Sequence, residues 1–175
     1  MPVHNMFSIS LSQFLISGED HRFNYHIGFD LIAMLRAIKR RFIDGKIEGA
    51  STIQQQIVRV LLNDYRPTFG RKFKEVLLAT TLIDIIPKEL LPTIYLNIAY
   101  YGTQMEGLQD ACVKIKSSNP NIQTEVLCAE LVARIKYPEP YNPGVNRMLQ
   151  IQRRKAHLMK LHRKHSNYKL LKIYG

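Results

Sequence analysis

EDHRFNYHIGFDLIAMLRAIKRRFI, residues 19–43, opens on charged and aromatic residues and then settles into a helical period. From Leu31 onward the apolar positions Leu31, Ile32, Leu35, Ile38 and Phe42 recur three or four residues apart. That spacing gathers them on one stripe of an α-helix, with Arg36, Lys39, Arg40 and Arg41 crowding the other side. Two readings of this basic amphipathic helix stand side by side. It packs its stripe on a core with a solvated basic face, or it lies in an anionic lipid interface.

Outward from this segment the helical period continues. A DGK turn at 44–46 leads into EGASTIQQQIVR, residues 48–59. There Ser51-x-x-Gln54 has the capping-box form, and the helix runs through IQQQIVRVLL. RPTFG at 66–70 breaks the pattern, and RKFKEVLLATTLIDII carries a further helix to Pro87. Another helix is expected from about Lys88 through LPTIYLNIAYYG, with Pro92 either delaying its start or bending it. Segments at about 106–116, 122–136 and 145–163 finish the chain, with a PEPYNPG turn between the last two. No convincing strand alternation is visible, so the fold class is all-α.

The 175 residues, 46% hydrophobic, suffice for one cored domain and are short for two. Twenty-five Lys and Arg against fourteen Asp and Glu give a net charge of +11, which points to an anionic partner. The finger spacings and RNP-like aromatic strings of nucleic-acid binders are missing, so no nucleic acid is expected. Cys112 and Cys128 have no CxxC partner, which excludes a classical zinc site and leaves a disulfide open, with two packed thiols the favoured reading. No run approaches the ~20 apolar residues of a spanning helix, and residues 1–18 lack a basic region followed by an apolar one. No signal peptide or transmembrane anchor is therefore expected within the chain, which can still lie on a membrane.

Several side chains fall at spacings that carry chemistry. Gln55 and Arg59 are four residues apart and Gln56 and Arg59 three, so amide and guanidinium share a helix face able to hold an anion. Arg71 and Lys72 flank Glu75 at i−4 and i−3. Taken alone, that trio is an intrahelical salt bridge worth roughly 0.3–0.5 kcal/mol. Glu19 alone is a solvated or capping acid, and His26 alone a packed or hydrogen-bonded histidine.

Taken together, these residues resemble the peptidoglycan glycosyltransferases, glycosyltransferase family 51, found as monofunctional transglycosylases and in class A penicillin-binding proteins. The family pattern EDxxFxxHxGxD is met by Glu19, Asp20, Phe23, His26, Gly28 and Asp30. GxSTxTQQxxK is met by Gly49, Ser51, Thr52, Gln55 and Gln56, and RKxxE by Arg71, Lys72 and Glu75. Lys88 followed by Tyr95, Leu96, Asn97, Tyr100 and Gly102 meets the YLNxxYxG pattern, and Arg153, Arg154 and Leu158 resemble RRxxVL. The motif-bearing region runs from 19 to 158. Three positions depart: Gln54 stands for the family's Thr, Arg59 for its Lys, and Thr93 for an acid.

The resemblance implies a lysozyme-like single domain over 1–175 with a membrane-contacting helical subregion. It implies polymerisation of lipid II into glycan strands with inversion at the anomeric carbon and release of the lipid diphosphate. Glu19 would be the general base on the acceptor hydroxyl, and Arg59, Arg71 and Lys72 would neutralise the leaving diphosphate. Glu75 would orient those cations or help a divalent ion, Mg²⁺ or Mn²⁺, bind with the diphosphate. Ser51, Gln55, Gln56 and Asn97 would shape the substrate pocket. The residues include no dedicated metal site and require no cofactor.

By the same resemblance the partners are lipid II, the growing glycan strand, the membrane surface and cell-wall synthesis proteins, at the outer face of the bacterial cytoplasmic membrane. Members usually carry an N-terminal transmembrane anchor. Eighteen residues precede Glu19, so either the anchor is missing here or docking alone attaches the chain. Two other functions fit parts of the pattern: a non-catalytic binder of lipid II or membrane, and a lysozyme-like enzyme that cleaves glycan.

Overall fold

The computed structural model describes residues 3–45 and 49–167. Lys46 of the expected DGK turn and Glu48 of the quoted segment lie outside the described residues. The chain is predominantly α-helical and divides into two compact units: residues 1–18 with 92–175, and residues 19–91.

The first unit is built around α7 (Thr124–Lys136), in which every residue from Leu127 to Arg134 is buried. A helix apolar on nearly all sides belongs in an interior. It packs against α8 (Val145–Asn167) and α6 (Leu108–Ser118). Helix α1 (Val3–Glu19), which the sequence reading did not delimit, contributes Leu11, Phe14, Leu15 and Ile16 to the core. The ring of Phe14 stacks on His162 of α8 at 4.0 Å between centroids. The charges within this core are paired: Arg134 lies between Glu130 and Glu139, and Lys155 reaches Glu130 at 2.9 Å.

The expected helix from Lys88 to Gly102 is shorter than its pattern. A 3-10 turn at Lys88–Leu90 precedes α5 (Leu91–Ile98). Pro92 falls in the first helical turn, where its missing N–H has no intrahelical partner to lose. The helix therefore starts later than Lys88. Tyr100–Gly102 then forms strand β1, antiparallel to β2 (Met105–Glu106). This hairpin corrects the all-helical expectation. Tyr101 O accepts from Glu139 N at 3.0 Å and Glu139 O from Thr103 N at 2.8 Å, so the extended backbone is satisfied by a segment far along the chain.

Cys112 and Cys128 are free thiols, half-buried and buried respectively. Burial pushes the Cys128 thiol up to about 12, against the opposing Ser10 hydrogen bond, so it stays protonated and inert.

The second unit holds α2 (Leu31–Ile43), α3 (Ile53–Leu62) and α4 (Phe69–Ile85), with α3 packed on α4. Helix α3 begins one residue later than the capping-box spacing implies. Its cap is Thr52, whose hydroxyl accepts from Gln55 N at 3.3 Å. Thr52 also donates to Gly28 O at 2.6 Å, and this second bond selects it over Ser51. Helix α2 does not pack its apolar stripe on a core: Leu35 is 58% and Phe42 84% exposed, and Ala33 alone of the helix is buried.

Candidate active site

In the segment from Asp20 to Asp30, the side chains of Asp20, His26 and Asp30 hold backbone N–H groups. Asp20 is buried and accepts from Ile53 N at 3.0 Å, satisfying an N–H at the start of α3 that has no helical partner. Its two oxygens also lie 2.9 and 3.1 Å from His26 Nε2, while Gly28 N donates to His26 Nδ1 at 3.4 Å. These partners call for the neutral tautomer with the proton on Nε2. His26 is thus the packed, hydrogen-bonded histidine expected from the sequence.

Phe23 meets the His26 ring edge-on at 6.2 Å and lies beneath Lys88 Nζ at 5.2 Å. Lys88 donates to His26 O at 2.6 Å. Gly28 has φ +107°, and a Cβ there would lie 2.4 Å from Ala79 O, so the segment rests directly on the backbone of α4. Asp30 caps α2 by accepting from Ala33 N at 3.0 Å, and Arg22 holds its other oxygen at 2.9 Å. Burial raises the Asp30 carboxyl, but the Ala33 hydrogen bond and the Arg22 charge together hold it below its ordinary value. Glu19 stands at the head of this segment as the half-buried last residue of α1.

Arg59 of α3 and Arg71 and Lys72 of α4 converge on Glu75, whose side chain is 1% exposed. Arg59 grips it with both arms, Nε to Oε1 at 2.8 Å and Nη2 to Oε2 at 3.2 Å. Arg71 Nη1 donates to Oε1, and Lys72 Nζ lies 3.5 Å from Oε2. Burial pushes the Glu75 carboxyl up, yet the Arg59 hydrogen bond and the charges of Arg59, Lys72 and Arg71 outweigh it and hold the group below its ordinary value. Lys72 is lowered by burial, with Glu75 opposing and the two arginines adding to the fall.

Ser51 Oγ bridges the cations, accepting from Arg59 Nη2 at 3.2 Å and Lys72 Nζ at 2.9 Å. Gln55, fully buried, accepts from Lys72 at 2.7 Å through Oε1. Six of the nine expected site residues therefore form one cluster: Ser51, Gln55, Arg59, Arg71, Lys72 and Glu75. The Arg71–Glu75 pair is no surface salt bridge, because Arg59 arrives from a second helix and the carboxylate is dry.

The remaining three are Glu19, described above, Gln56 and Asn97. Gln56 is half-buried, and its backbone N–H closes the first turn of α3 on Thr52 O at 3.1 Å. Asn97 is an exposed residue of α5 in the first unit and donates to Thr93 O at 2.9 Å within its own helix.

Of the departing positions, Arg59 keeps a cation in the cluster. Gln54 is fully buried, with neither amide atom bonded among the described residues. The roles of Thr52 and Lys88 escaped residue-by-residue reading, although both stand in the quoted motifs.

No group of three or more His, Cys, Asp or Glu gathers among the described residues. Glu75 does not suit a divalent ion, because both its oxygens face cations. Among the described residues no helix is long and apolar enough to cross a membrane.

A helical scaffold thus sets three cations of two helices on one buried carboxylate. Residues 2–162 match the family described as Transglycosylase, and the chain belongs to that family. It is similar to penicillin-binding protein 1A of Neisseria gonorrhoeae, with 35% identity over 133 residues, 75% of this chain and 17% of that protein. The corresponding protein of Neisseria flavescens is 34% identical over 137 residues, 78% of this chain and 17% of the relative. Penicillin-binding protein 1F of Bacillus subtilis is 36% identical over 129 residues, 73% and 18% of the two chains. The matched region thus spans less than a fifth of these curated relatives.

Proposed function

We propose that residues 1–175 act as one lysozyme-like catalytic domain that polymerises lipid II into β-1,4-linked glycan strands. One observation carries this reading: three cations face a single buried carboxylate, a surplus of two positive charges between α3 and α4. Gln55 Nε2, which has no hydrogen-bond partner among the described residues, adds a buried N–H donor beside them. Such a site suits a leaving diphosphate, on which charge accumulates as the bond to the sugar breaks.

In this mechanism Glu19 accepts the proton of the acceptor sugar's 4-hydroxyl. The oxygen attacks the anomeric carbon of the growing chain from the face opposite the diphosphate. The carbon–oxygen bond to the diphosphate then breaks with inversion, and Arg59, Arg71 and Lys72 hold the departing undecaprenyl diphosphate. Glu75 acts through the cations, keeping their heads together. No step here depends on a divalent ion; one bound with the diphosphate would add positive charge to what Arg59, Arg71 and Lys72 supply.

The exposed stripe of α2 supports work at a bilayer surface, at the outer face of the cytoplasmic membrane. Leu31, Ile32, Leu35, Ile38, Phe42 and Ile43 are all more than half exposed, and Arg40 and Arg41 stand beside them to meet anionic headgroups. Glycan cleavage would leave the cation cluster without a task.

The test is incubation of purified protein with labelled lipid II in detergent, beside Glu19→Gln. Polymer from the wild type alone supports the synthase. Lipid II binding without polymer turns the reading into a binder, and shortened preformed strands turn it into a hydrolase.

A further inference from the structure

The carbonyls of the last four residues of a helix have no intrahelical partner. At the end of α1 the Gly18 carbonyl accepts instead from Arg154 Nη2 of α8 at 2.7 Å, across 136 residues of sequence. The approach needs a glycine: a Cβ at Gly18 would lie 2.3 Å from Leu158 Cδ2 and 3.2 Å from Arg154 Nη2. Leu158 is fully buried, so it backs this contact with core packing. Arg154 and Leu158, one helical turn apart on α8, therefore act together on a single peptide of α1.

That peptide is the one that carries Glu19. The six atoms from Gly18 Cα to Glu19 Cα are coplanar, so a bond to the Gly18 oxygen also orients the N–H and Cα of Glu19. On the other side of Glu19, Asp20 is tied by His26 and Ile53 N. The chain is held immediately before and immediately after the acid.

We propose that Arg154 is a positioning residue for the glycosyl transfer, setting the direction of the Glu19 side chain through the Gly18–Glu19 peptide. This rests on the assignment of Glu19 as general base. A simple helix cap would alter stability alone, whereas a positioning bond alters the chemical step with substrate binding intact. Displacement of a catalytic group by about 1 Å costs on the order of 100-fold in rate.

The experiment is steady-state polymerisation of lipid II by the full chain, comparing wild type, Arg154→Met, Arg154→Lys and Glu19→Gln, each checked for folding by circular dichroism. Arg154→Met is expected to lose roughly 10–100-fold in kcat with KM within about twofold, since the cations that hold the diphosphate are untouched. Arg154→Lys, which keeps a charged donor for the carbonyl, is expected to recover most of the loss. Where Arg154→Met does not fold, Arg154→Gln, two bonds shorter but polar, takes its place.

Wild-type kcat in the folded Met or Gln variant, with Glu19→Gln inactive, overturns the positioning role alone. A loss confined to KM does so too. Wild-type polymerisation by Glu19→Gln overturns the base assignment, and the positioning role with it.

Discussion

Replacing Glu75 by Gln keeps the shape of the side chain and removes its charge. In the native cluster Oε1 accepts from Arg59 at 2.8 Å and from Arg71, and Oε2 accepts from Arg59 at 3.2 Å and Lys72 at 3.5 Å. Glutamine retains one oxygen and turns its amide hydrogens toward two donors, so two charge-assisted bonds are lost. At ~1.5–3 kcal/mol for each such bond the gross loss is ~3–6 kcal/mol. The long Oε2 contacts and the 25% and 30% exposure of the Arg59 and Lys72 side chains place the value near the lower end, about 3 kcal/mol.

At ~2–4 °C per kcal/mol for a chain of this size, Tm should fall by about 6–12 °C at pH 7. The difference should depend on pH with a definite sign. The folded-state pKa of Glu75 lies below its ordinary value of 4.5, so the unfolded chain binds the proton more tightly. The stabilisation is complete above 4.5 and is lost as pH falls through the folded value. Thermal melts followed by circular dichroism across pH 3–8, within about the range set by carboxylate titration, measure both quantities. A variant that melts within about 1 °C of wild type at pH 7 would refute the claim that Glu75 holds a mutually repelling set of cations together.

Four further outcomes are expected. Arg59→Ala should weaken lipid II turnover more than Arg59→Lys, which keeps the charge but loses one arm of the paired contact; equal, full activity in both removes Arg59 from the diphosphate site. Gly28→Ala should destabilise by about 3 kcal/mol or more, because φ +107° and a Cβ 2.4 Å from Ala79 O are both unsuited to alanine; an unchanged urea midpoint contradicts this. Gln54→Met replaces a buried amide that has no partner among the described residues by an apolar chain of similar length and should raise stability by ~1–3 kcal/mol, so a lowered Tm would show the amide to be satisfied. Leu35→Glu with Phe42→Glu should reduce flotation with anionic vesicles while leaving Tm nearly unchanged, since both residues are exposed; undiminished flotation removes α2 from the membrane reading.

Helical periods marked most of the helices to within a few residues, because each arises from neighbours three and four positions away. Period analysis failed where distant backbone decides local structure. Tyr100–Gly102 continues the apolar pattern of α5, yet it is extended because Met105–Glu106 and Glu139 take its hydrogen bonds. The cap of α3 was misplaced by one residue for the same reason, since Gly28 O selects the Thr52 hydroxyl. The amphipathic pattern of α2 showed that an apolar stripe exists, but whether it packs on protein depends on what surrounds it.

The order and identity of the motif residues determined the family, and local spacing determined that Arg71, Lys72 and Glu75 share a helix face. Only the tertiary structure turned that trio into a buried site, by bringing Arg59, Ser51 and Gln55 of a second segment onto the same carboxylate. It also brought Asp20 and Asp30 onto backbone N–H groups at the starts of α3 and α2. The physical reason is that spacing along one helix sets which side chains are neighbours, whereas charge pairing and desolvation depend on groups that long-range packing delivers. The same holds at Gly18, where Arg154 meets the peptide that carries Glu19.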